Sequence, residues 1–179
     1  MVKGLVIPFD PERPIEVREF NRPEDYQAVV GGWIEAVDIP RLGATIYVNE
    51  EGLLRQLPFN SRASFLWWYE LPERRQGAVL VGEALMVGIP DEEGKTRDIP
   101  DSTLALLTNK EHYVVMSRVG ASPVWIRHPF QYEDFFEAVV WAMMLSDRVA
   151  DTREVKVVKI KEFNDAQAND ASHKSRDRD

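Results

Sequence analysis

Residues 33–48 read WIEAVDIPRLGATIYV: two apolar-rich runs, Trp33 to Ile39 and Ala44 to Val48, separated only by Pro40, Arg41, Leu42 and Gly43. A connection this short joins antiparallel strands, because a parallel pair needs a crossover of about a dozen residues or more. Downstream, Asn49-Glu50-Glu51-Gly52 leads into Leu53 and Leu54, which predicts that the meander continues. Upstream, Gly31-Gly32 ends a predicted helix that starts at Pro23. Asn21 or Arg22 is its cap candidate, Glu24 and Asp25 face the positive end of the dipole, and Tyr26, Val29 and Val30 form its apolar side. Before it, Leu5 to Ile7, closed by Pro8, and the alternating run from Ile15 to Phe20 read as strands joined through the turn signals Asp10-Pro11 and Arg13-Pro14.

Further along, Asn60 is placed to cap a helix containing Ala63, Phe65, Leu66, Trp67 and Trp68, which Leu71-Pro72 stops. Ala78 to Val81 and Ala84 to Val87 read as strands around Gly82-Glu83, and Pro90 to Pro100 as a surface loop. Asp101 caps a short helix through Leu107. His112 to Val119 and Val124 to Arg127 form a predicted hairpin, and Tyr132 to Arg148 repeats apolar residues at spacings of three and four, as a largely buried helix does. Val155, Val157, Val158 and Ile160, interleaved with Lys156, Lys159 and Lys161, predict a last strand with a basic outer face and one irregularity at Val157-Val158. Residues 163–179 hold no large apolar side chain beyond Phe163 and are expected to be disordered. The fold class is therefore α+β: an antiparallel-dominated sheet with two or three packed helices, in a single compact body with a disordered C-terminal tail.

The chain has 179 residues, a formal charge of -8 and no cysteine. Disulfides, thiol nucleophiles and Cys-ligated metal sites are thereby excluded. The acidic balance disfavours nucleic acid as a partner, since neutralising a phosphate backbone takes clustered Lys and Arg. Acids do not dominate throughout either half, so a carboxylate-lined imitation of DNA is disfavoured as well. No apolar run approaches the roughly 18 residues of a membrane span, and MVKGLVIPFD lacks the pattern of a secretory signal, so a cytoplasmic protein is expected.

Five blocks in order, LVIPFD (5–10), VGGWIEAVDI (30–39), ATIYVNEEGLL (44–54), LPFNSRAS (57–64) and VLVGEALMVG (79–88), resemble a small domain of unknown function that recurs in actinobacterial phages, plasmids and their hosts. The resemblance covers residues 1 to about 98 and implies a phage or mobile-element setting, with host cytoplasm as the compartment, and a small α+β fold. It carries no reaction. Residues 101–162 then read as an α+β extension packed on residues 1–100.

Chemistry-bearing clusters are sparse. His112, His128 and His173 are too far apart to suggest a metal site, and each reads as a surface or satisfied loop residue. Glu35 and Asp38 stand at odd separation on one strand, so the pleat sends them to opposite faces and no paired acid and base results. Gly31-Gly32 lacks the phosphate-loop patterns, no GxSxG elbow exists, and no cofactor is expected. The one suggestive constellation is Asn60 and Arg62 before Trp67, Trp68 and Tyr69, because a guanidinium fork beside aromatic faces suits a phosphate-bearing or nucleobase ligand. The reading preferred over it takes Asn60 as a helix cap and the aromatics as core or interface. The leading expectation is a non-enzymatic accessory protein that binds a host protein or itself. A nucleotide-like ligand is the alternative, and an undetected hydrolase the third.

Overall fold

A computed structural model describes residues 1–75, 77–149 and 151–166, and the chain divides into two compact units, Met1–Thr108 and Asn109–Asp179. The architecture is α+β with two antiparallel sheets.

In the first unit the hairpin expected from residues 33–48 forms as β3 (Ile34–Ile39) and β4 (Ala44–Asn49), paired without interruption from Ile34↔Asn49 to Ile39↔Ala44. Its connection is a 3₁₀ turn, Pro40–Leu42, closed by Gly43 at φ +59°, a left-handed conformation that glycine adopts without strain. With β1 (Val2–Ile7), β2 (Glu16–Phe20) and β5 (Ala84–Gly88) these strands make a five-stranded sheet in the order β2-β1-β5-β4-β3.

Helix α1 (Pro23–Val30) covers one face. Tyr26 stacks on Tyr47, meets Phe20 edge-on, and closes a core with Val6, Leu85 and Val87. The Asp25 carboxylate accepts the backbone N–H of Asn21 (2.8 Å) and Arg22 (2.9 Å), which holds its pKa below the ordinary value. The pleat turns Leu5, Ile7, Ile46 and Met86 to the opposite face, where they are fully buried. On that side α2 (Ser61–Glu70) brings Trp67 beside Val37 and Val48. Helix α3 (Asp101–Thr108) is tied back by Thr103, whose hydroxyl donates to the Leu42 carbonyl at 2.6 Å.

Two expected strands are absent from this unit. Leu53 and Leu54 do not continue the meander, because Leu57 N–H bonds Gly52 O and Arg55 N–H bonds Glu51 O, which curls residues 50–56 into turns. Ala78 to Val81 makes only one bridge, Val81↔Phe59. The Ser64 hydroxyl accepts from Leu80 N–H (2.9 Å), and Asn60 N–H donates to Leu80 O (3.0 Å), so Leu80's backbone is engaged by α2 and its cap, not by a ladder. The expected loop 90–100 is also stitched down at its end. Gly88 N–H reaches Arg97 O, Lys3 N–H reaches the Asp98 carboxylate, and Ile99 is buried.

The second unit contains a three-stranded sheet, β6 (Tyr113–Val119) between β7 (Ile126–Tyr132) and β8 (Thr152–Lys159), with α4 (Phe135–Arg148) set against it. The expected strand Val124 to Arg127 starts later and runs further, since a bulge around Pro129 lets pairing resume at Val114↔Gln131 and end at Tyr113↔Tyr132. Tyr132 therefore closes a strand instead of opening the helix, whose cap is Asp134 accepting from Glu137 N–H at 2.7 Å. The irregularity expected at Val157-Val158 lies instead between Arg118 and Val119, opposite Glu154 and Thr152. Residues 160–166 are helical, so regular structure enters the first residues of the expected tail, and residues 167–179 lie outside the described residues. Among the described residues no helix is long and apolar enough to cross a membrane.

Candidate functional site

Asn49, buried at the end of β4, donates through Nδ2 to Val30 O (3.2 Å) and accepts Glu51 N–H at Oδ1 (2.9 Å), so one side chain ties the end of α1 to the turn after β4. Arg55 reaches back across the same gap to Gly31 O (2.8 Å), and Glu50 N–H bonds Trp33 O (2.9 Å). A Cβ on Gly32 would stand 2.5 Å from Asn49 Nδ2, and one on Gly52 would stand 2.7 Å from Val81 Cγ2. The blocks GGW, NEEG and VLVG thus interlock, and both glycines are there for lack of space.

What this knot holds outward is apolar: Trp33, Leu53 and Leu54 are 66%, 64% and 83% exposed. Behind Leu53 lies a cavity of about 120 Å³ whose lining includes Glu35, Val37, Val48, Trp67 and Val79. Trp67 is buried, and its indole N–H has no acceptor among the described residues. Trp68, one residue on, donates to Ala78 O at 2.9 Å and packs with Phe59 and Phe65. A buried indole N–H normally finds a partner, and that of Trp67 is enclosed with none among the described residues. The cavity lies beside β3, the last strand of its sheet, whose outer edge pairs with no strand among the described residues.

The five residues singled out from sequence do not share one pocket. Asn60 is fully buried: its Oδ1 accepts Ala63 N–H (3.1 Å) and its Nδ2 donates to Ile7 O (2.8 Å) and Gly82 O (2.9 Å). Arg62 donates through Nη2 to Pro8 O and Asp10 O, both at 2.9 Å, bracing the segment after β1. Trp67 lines the cavity, Trp68 belongs to the Phe59–Phe65 cluster, and Tyr69 is half-buried. Sequence reasoning passed over Trp33, Leu53, Leu54 and Val79. The adjacent leucines between Gly52 and Arg55 were the available signal, since apolar pairs have no reason to sit in an exposed turn.

Other groups have local explanations. His128 lies on β7, not in a loop, with Nε2 2.8 Å from Ser117 Oγ across the strands. Ser117 is buried in mid-strand and unsuited to meet a substrate. His112 is exposed, and His173 is outside the described residues. Glu35 and Asp38 face opposite sides, and Asp38 accepts the Thr45 hydroxyl at 2.6 Å. An open cleft of about 710 Å³ beside the start of α1 mixes Arg22, Lys95 and Arg97 with Asp91 and Asp98, and so favours neither sign of ligand.

Glu70, at the last turn of α2, is buried with Arg41 Nε 3.5 Å away. Burial pushes its pKa up, and Arg41 only partly opposes this. A carboxyl raised in the folded state contributes stability that is fully present below its unfolded pKa and lost as pH rises through the folded value. Glu70→Gln should therefore melt higher than wild type at pH 7, and the two melts should converge below about pH 4. Thermal melts across pH 3.5–7.5 check this, and a variant less stable than wild type at pH 7 contradicts it.

Compared with known proteins, the chain matches a domain of unknown function (DUF3846) over residues 2–112. No curated protein and no solved structure matches it. The match spans all of β1 to β5 and α1 to α3, including every residue of the knot and the cavity, and the chain belongs to the DUF3846 family.

Proposed function

We propose that this chain is a non-enzymatic accessory protein of a phage or mobile element that binds a host protein through the surface built on the turn after β4. The carrying observation is that Leu53 and Leu54 are held in solvent by a turn pinned through the Asn49 and Arg55 hydrogen bonds, with Trp33, also exposed, tied to that turn through its carbonyl and Glu50 N–H. Single exposed apolar residues are ordinary, but several presented together on a rigid turn beside a free sheet edge suit protein recognition. The mobile-element setting rests on the resemblance of the five sequence blocks.

A photo-crosslinking residue placed at Leu54 should give one discrete adduct in host cytoplasm. The same residue at Glu19, on β2 at the far end of the sheet, should give none. The partner, identified from the adduct and purified, should bind the Leu53→Asp, Leu54→Asp double variant at least about tenfold more weakly than wild type, a difference of roughly 1.4 kcal/mol. Equal adducts at both positions, or equal affinity for the variant, would overturn the reading.

A further inference from the structure

Resting on that reading, we infer that the partner supplies an extended, basic segment that pairs along the outer edge of β3 as a sixth strand. Three observations converge on this occupant.

The backbone of β3 is regular. It holds six consecutive pairs with β4 and contains no proline, so its outer N–H and C=O groups are spaced to continue a ladder. By contrast, the edge strand β7 of the other sheet carries Pro129 in a bulge, which interrupts such pairing.

Second, the pleat turns Glu35 and Val37 of β3 toward the cavity. A strand added beside β3 places alternate side chains on that same face. The cavity, at about 120 Å³, holds one side chain of modest size.

Third, Glu35 and Glu50 both line the cavity and neither has an ion-pair partner among the described residues, while the nearby Arg55 is engaged with Gly31 O. Opposite charges across strands attract and like charges repel, so a lysine- or arginine-bearing strand is favoured. A second copy of this chain is disfavoured on the same ground, since β3 carries Glu35 and Asp38 and no basic residue.

The test is a selection of random decapeptides from a display library against the full chain. Enriched peptides should carry net positive charge and lack central proline. Titrated into ¹⁵N-labelled protein, they should shift the amides of residues 34–39 and the Trp67 indole resonance. Glu35→Lys, an exposed change, should weaken them about tenfold.

Acidic or proline-rich winners, shifts confined to other residues, or affinity indifferent to Glu35→Lys would overturn the inference. So would failure of any peptide to enrich, or a concentration-dependent dimer in sedimentation that Glu35→Lys strengthens. In each case the Leu54 adduct decides whether protein binding itself survives. An adduct with a failed selection leaves the surface a binding surface of another mode, and loss of both removes the whole reading.

Discussion

Asn60→Asp should unfold the first unit nearly as readily as Asn60→Ala does, although aspartate is as good a helix cap as asparagine. The reason is that capping is only one of three tasks of this side chain. Its oxygen accepts Ala63 N–H at the start of α2, while its amide nitrogen donates to Ile7 O at the end of β1 and to Gly82 O before β5. All of this happens at a fully buried position. A carboxylate keeps the first bond and turns both others into contacts between acceptors. Losing the cap costs about 1 kcal/mol, and each buried carbonyl left without a donor costs about 1–3 kcal/mol. The expected loss is then about 3 kcal/mol or more for either variant, a large share of a typical domain's stability. Denaturant titration at pH 7 measures it. The aspartate variant should regain stability as pH falls, because a protonated carboxyl donates again to one carbonyl. An aspartate variant within about 0.5 kcal/mol of wild type would show that the two carbonyls do not depend on Asn60.

Gly88→Ala should cost about 3 kcal/mol or more, at the upper end for an added methyl group in a packed interior. A Cβ built at this position stands 2.3 Å from Asp98 O and 3.0 Å from Arg97 O, and both neighbours are backbone. Neither can give way freely. The Arg97 carbonyl accepts Gly88 N–H at 2.9 Å, the Asp98 carboxylate accepts Lys3 N–H at 2.8 Å, and Ile99 N–H bonds Lys3 O at 2.9 Å. Gly77→Ala is the matched control, because nothing lies within 4 Å of the added atom. It should leave stability unchanged or raise it by up to about 1 kcal/mol through the unfolded chain. Similar losses in both variants would mean that the 97–99 segment yields to the methyl group.

Much of the first unit was legible because its punctuation is local. Gly31 ending α1, the Pro40–Gly43 turn, and Asn60 opening a helix that Leu71-Pro72 closes all act within a few residues of themselves. The failures share a different cause. Ala78 to Val81 has the composition of a strand, but the groups that engage Leu80 belong to α2 and its cap, remote in sequence. The candidate site was half visible. Trp67 and Trp68 are indistinguishable as letters, yet neighbours on a helix point about 100° apart. That rotation sends one indole to a backbone acceptor and the other into the wall of a cavity. Leu53 and Leu54 looked like strand because the bonds that pin their turn end on the Val30 and Gly31 carbonyls, remote in sequence.

The strand order of the larger sheet also governs the time course of folding. The hairpins β1–β2 and β3–β4 need only nearby chain, so each can form early. Neither touches the other within the sheet, for β5 lies between them, pairing Leu5↔Met86 on one side and Tyr47↔Leu85 on the other. The last strand to leave the ribosome is thus the one that joins the halves, and its pairing with β1 must close a loop of some eighty residues before any contact repays the lost entropy. Until that moment both hairpins expose the flanks that β5 will occupy, and a chain cut short before Ala84 has no means of covering them.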